Sequence, residues 1–176
     1  MTVSLIVTLI GTDRPGLVNA VAERAAACGA SWLESSMAHL AGKFAGIVRL
    51  EVAAADAAGL ESALRELAAQ GLNLSIERAE HAAPGGKRRL IRMALIGHDR
   101  PGIVREISAA LARHGASISK LETACESASF SGEPLFRAAL EVRLPATVEP
   151  AQLQAELEAL ANELMVDLSL EDQAAE

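Results

Sequence analysis

The stretch Val3 to Ile10 is apolar and rich in β-branched residues, as in a strand at the centre of a sheet, covered on both faces by helices or a partner. After the turn signal Asp13-Arg14-Pro15-Gly16, Val18, Val21, Ala22 and Ala25 recur at helical spacing, and Gly29 stands where a helix-ending glycine belongs. A second strand is expected over about 31–40, ending in a Gly42-Lys43 turn. The third strand alternates, with Val48, Leu50 and Val52 on one side and Arg49 and Glu51 on the other. Leu60, Leu64 and Leu67 then mark one stripe of a second helix, and a last strand is expected near 72–80.

The second half repeats this order. With Gly11 laid on Gly97, Leu9-Ile10-Gly11-Thr12-Asp13-Arg14-Pro15-Gly16-Leu17-Val18 matches Leu95-Ile96-Gly97-His98-Asp99-Arg100-Pro101-Gly102-Ile103-Val104 without a gap, at an offset of 86 residues. The register holds to Gly29-Ala30-Ser31 over Gly115-Ala116-Ser117. Val104, Ile107, Ser108 and Leu111 form the matching helical stripe, and Phe136, Leu140, Val142 and Leu144 alternate with Arg137, Glu141 and Arg143. Leu153, Leu157 and Leu160 mark the fourth helix, and a strand near 164–170 closes the copy.

Each copy therefore reads βαββαβ, the ferredoxin-like arrangement of an antiparallel sheet with two helices on one face, an α+β fold. The expected organisation is a first domain at 1–81, a linker at 82–89, a second domain at 90–172 and a tail at 173–176. The copies differ between their second and third strands, where the second carries a longer loop at 126–134, a candidate for a specialised contact. An uncovered sheet face and an open sheet edge both invite a neighbour, and an even-numbered homo-oligomer is expected.

Composition narrows the function. Apolar residues make up 51% of the 176, enough for substantial cores, while aromatics are only 2%. A net charge of −7 argues against a nucleic-acid surface or a polybasic membrane anchor. The apolar residues 1–10 carry no basic leader and no cleavage site, and no apolar run approaches a membrane span. Cys28 and Cys125 form no Cys-X-X-Cys unit, which fits a reducing cytoplasm and packed thiols. The four histidines, His39, His81, His98 and His114, lack metal-ligand spacing, and no P-loop, nucleophile elbow or helix-turn-helix segment is present. Neither cofactor nor metal is expected, and an enzyme is disfavoured.

The candidate chemistry lies in the twice-written loop. Pro15 and Pro101 are expected at the first helical position, and Gly16 and Gly102 where a ligand or a backbone approaches closely. The unpaired N–H groups of the helix start suit a carboxylate. Asp13 and Asp99 have two open roles, contact with a ligand ammonium or capping of the helix. Ser31 and Ser117 face the same choice between ligand contact and turn chemistry. His98 lies in the second loop, where the first has Thr12.

Asp-Arg-Pro-Gly-Leu-Val after an apolar strand, followed by Cys-Gly-Ala-Ser after the helix, resembles the ACT domain. Two such domains with little else attached resemble the group of glycine cleavage transcriptional repressors, as do the Gly42-Lys43-Phe44 turn and the segment 131–136. The resemblance implies amino-acid sensing between paired domains whose sheets lie side by side. It places a small amino acid, glycine favoured, at Gly11, Thr12, Asp13, Pro15, Gly16 and Ser31, and at Gly97, His98, Asp99, Pro101, Gly102 and Ser117. Serine-binding members carry Asn at the positions of Asp13 and Ser31, from which this chain departs. For the repressor group, the implied role is to restrain a transcriptional activator by protein contact. An allosteric subunit of an enzyme of amino-acid metabolism is the alternative.

Overall fold

The computed structural model of the protein describes residues 1–79, 88–127 and 134–173. Most of the expected linker, positions 128–133 of the long loop and the end of the tail lie outside the described residues. The chain divides into two compact units, residues 1–83 and 84–176.

In the first unit the order is β1 (Thr2–Thr12), α1 (Leu17–Ala27), β2 (Ser31–Leu40), β3 (Lys43–Ala53), α2 (Ala57–Arg65), a short 3-10 segment (Glu66–Gln70) and β4 (Leu72–Ala79). The second unit repeats it as β5 (Arg88–His98), α3 (Ile103–Arg113), β6 (Ser117–Ser127), β7 (Pro134–Pro145), α4 (Pro150–Leu164) and β8 (Val166–Gln173). The sheets run β2-β3-β1-β4 and β6-β7-β5-β8, and all of their pairs are antiparallel. Arg88 and Arg89, expected in the linker, are strand residues paired with Pro145 and Leu144.

Alternation puts the core on one face of each sheet. Leu5, Val7 and Leu9 of β1 and Val48, Leu50 and Val52 of β3 meet Leu17, Val21, Leu60 and Leu64 in one buried cluster. Full burial of each such side chain stabilises by about 1.5–3 kcal/mol. Ile91, Met93, Leu95, Leu140 and Val142 do the same with Ile107, Leu111, Leu153 and Leu157. The central strands are covered on this face alone, since Ile10 on the other side remains 48% exposed. The expected helical stripes are shifted by a residue at their start, because Leu17 and Ile103 are buried while Val18 and Val104 are exposed.

Both first helices end in the same way. Gly29 and Gly115 have φ of +67° and +65°, and the N–H groups of Ala30 and Ala116 reach back to Ala25 and Leu111, a Schellman closure. Strands β2 and β6 each carry one irregularity at the same place, between Trp32 and Glu34 and between Ile118 and Lys120.

Candidate functional site

The repeated loop leaves β1 or β5 and enters α1 or α3. Its helix begins later than the sequence implied, with Gly16 and Gly102 as the N-caps. Their dihedrals (φ 89°, ψ 2°; φ 103°, ψ −10°) are those of the third position of a type II turn, and the preceding prolines occupy its second position. Pro15 and Pro101 therefore stand outside the helix, not at its first position, and they fix the turn that aims the helix start. A Cβ added at Gly16 would meet nothing within 4 Å, so this glycine is required by its backbone conformation while its surroundings are open.

Gly11 and Gly97 differ in kind. A Cβ at Gly11 would lie 2.8 Å from the carbonyl oxygen of Gly71, and one at Gly97 only 2.6 Å from Cγ1 of Val166. They permit the last strand of each domain to start against the central strand, a packing role inside the domain.

The aspartates do not occupy the helix caps. The Asp13 carboxylate lies 3.5 Å from Nε2 of His39, and its backbone N–H donates to the carbonyl of Gly42. Asp99 matches it, with its N–H bonded to Pro134 and its carboxylate accepting from the Cys125 thiol. Packing around the sulfur, then the Asp99 charge, push that thiol above its ordinary pKa, so it stays protonated. Cys28 packs half-buried against the first core, as expected, whereas Cys125 is exposed, which corrects the expectation of a packed thiol there. Asp13 keeps 46% of its side chain exposed beside the start of α1, whose first N–H groups have no partner inside the helix.

Several residues with defined roles here carried no signal of function in the sequence. Arg14 donates to the carbonyl of Gln70 at 2.9 Å, closing the 3-10 segment, and Lys43 donates to Thr12 Oγ1 at 3.1 Å. His39 and Cys125 occupy the same place in the two sheets, opposite Phe44 and Phe136. The 86-residue offset lays one on the other, and the strand registers set each against a phenylalanine. The first loop therefore has a histidine and a lysine beside it where the second has Cys125 and Leu135, so the two sites differ chemically.

Ser31 and Ser117 do not join the loop of their own domain. Ser31 pairs with Glu51, which faces Ser4 at the start of β1, whereas Thr12 ends that strand. Eight residues at ~3.4 Å each separate them by roughly 27 Å. Ser117 pairs with Arg143, opposite Leu90, and is equally far from His98.

Among the described residues no group of three His, Cys, Asp or Glu side chains could hold a metal ion, and no helix is long and apolar enough to cross a membrane.

The model of the ACT domain family matches the chain twice, over residues 4–77 and 90–171. Among solved structures, an unknown protein from Galdieria sulphuraria is 34% identical over 99% of this chain and 100% of its own, with a TM-score of 0.88. A protein assigned as a glycine cleavage system transcriptional repressor is 22% identical, with 99% of both chains covered and a TM-score of 0.73, a likeness of fold. Comparison with curated proteins finds no match.

Proposed function

Because the chain belongs to the ACT domain family, we propose that it is an amino-acid-responsive regulatory protein that works through protein contact, without a catalytic step of its own. The observation that carries this reading is the duplicated loop, which in each domain sets a carboxylate that caps nothing beside a helix start, open at Gly16 and flanked by Glu106 at Gly102.

The chemistry suits a free amino acid. The helix N–H groups receive its carboxylate, and Asp13 or Asp99 receives its ammonium. Gly16 keeps the approach clear in the first domain, Gly102 borders the Glu106–Arg105 pair in the second, and Thr12 and His98 stand at the rims. Gly11, Pro15, Gly97 and Pro101 shape the site from behind. Ser31 and Ser117 reach a site only in an assembly. Strands β2 and β6 are sheet edges, and an edge is a template for another strand. Antiparallel pairing of β2 with the β2 of a second copy carries Ser31 of one sheet to the loop end of the other.

Glycine is the favoured ligand, in keeping with the repressor whose fold this chain shares, and a transcriptional activator of glycine cleavage in the cytoplasm is the favoured partner. The net charge of −7 favours contact with a protein over direct contact with DNA. Co-purification from cells tests the partner. Capture of a transcriptional activator, released or retained according to glycine, is expected. Capture of an enzyme of amino-acid metabolism instead would establish the allosteric-subunit reading, and a gel shift by the chain alone at low salt would overturn the exclusion of DNA.

A further inference from the structure

The sheet faces turned away from the helices carry opposite charges at matching positions. On β3, Arg49 stands across from Ile6 on one side and Glu34 on the other. Its counterpart on β7 is Glu141, across from Arg92 and Lys120. Two residues further on, Glu51 lies across from Ser4 and Ser31, and its counterpart Arg143 across from Leu90 and Ser117. The three matched positions thus read minus, plus, minus in the first domain and plus, minus, plus in the second.

Size is inverted too. Ile47, next to Arg49 on that face, is 45% exposed, and its counterpart is the small Ala139. Both faces are hollowed there, with concavities of about 590 Å³ and 560 Å³. The ion pairs inside each domain, Arg49–Glu34 at 3.2 Å and Arg92–Glu141 at 3.5 Å, leave Arg49 43% and Glu141 35% exposed.

We propose that these faces are a docking surface for a second copy of the chain, the first-domain face of one copy packing on the second-domain face of the other. Stacked sheets keep their strands roughly aligned, about 10 Å apart. With β3 laid over β7 in register, Arg49 meets Glu141, Glu51 meets Arg143 and Ile47 fills the space above Ala139, while Glu34 looks onto Arg92. With strands parallel and in the same register, pairing of like faces sets Arg49 on Arg49 or Glu141 on Glu141, so in that alignment the charge pattern favours the unlike pair. This surface is a sheet face rather than a loop, and it reaches the edge strands β2 and β6 through Glu34 and Lys120.

Sedimentation of the full chain tests the proposal with R49E, E141R and the double variant R49E/E141R, circular dichroism confirming that each is folded. Each single variant places like charges across the interface, and a twofold drop in assembly mass is expected. The double variant regains the wild-type mass. Inside a domain the double exchange leaves a second glutamate beside Glu34 and a second arginine beside Arg92, so recovery arises only from the contact between copies. A wild-type chain that stays monomeric, single variants of unchanged mass, or a folded double variant without recovery would each overturn the proposal.

Discussion

Two glycines five residues apart illustrate how unlike constraints hide behind one letter. Gly102 is held at φ +103°, and an alanine there pays a left-handed backbone cost of about 1–2 kcal/mol. Gly97 has an ordinary strand backbone, but its missing Cβ makes room for Cγ1 of Val166 and the carbonyl of Met165 at 2.6 Å and 2.8 Å. Overpacking against backbone costs about 1–3 kcal/mol, so Gly97→Ala is expected at the upper end of that range and above Gly102→Ala. Urea unfolding of both variants checks this, and the reverse order would mean that β8 shifts freely. The twice-written motif was legible in the sequence, but the division of labour within it was not. Proline read as the helix start and aspartate equally well as ligand contact or cap, but the dihedrals place the cap on glycine. Ser31 was open between ligand contact and turn chemistry, and the direction of β2 separates it from the loop of its own domain.

Helices α3 and α4 are joined by a charged clamp that the first domain lacks. Glu156 of α4 accepts from Arg113 and, at 2.6 Å, pairs with Nε2 of His114 at the end of α3. In the first domain the position of His114 is Cys28 and that of Glu156 is Ala63. Arg113 first, then His114, hold the Glu156 carboxyl below its ordinary value of 4.5. A carboxyl with a depressed folded-state pKa stabilises fully above its unfolded value, and that contribution fades as pH falls through the folded one. Stability of the second domain is therefore expected to fall with acidification below pH 4.5. Glu156→Gln should remove part of that slope and lower stability at neutral pH, as followed by thermal unfolding across pH. An unchanged acid slope would show that the clamp is an unimportant surface contact. Element order and type were legible because strands and helices carry different apolar periods. The clamp was not, because it joins residues 42 apart in sequence that only helix packing brings together.

At the scale of the whole molecule, the duplication was legible because an offset of 86 aligns loop, helix end and edge strand at once. In the third strand the offset becomes 92, as Phe44 and Phe136 show, with the insertion falling between β6 and β7. What the two domains do together was less legible, since charge inversion on the open faces emerges only after strands are registered. If those faces meet between copies, assembly should weaken as salt rises, because exposed charges are screened beyond about 10 Å at 0.1 M. Sedimentation along a salt series measures this, and a salt-independent mass would point to apolar contact alone. The central claim is that each glycine-gated loop receives a small amino acid. Titration calorimetry with glycine, beside serine, alanine and the branched-chain amino acids, tests it most directly. Heat is expected with glycine at or below millimolar levels, and weaker binding in folded Gly16→Val and Gly102→Val than in Asp13→Asn. No heat with any of these amino acids, or binding unaffected by all three substitutions, would contradict it.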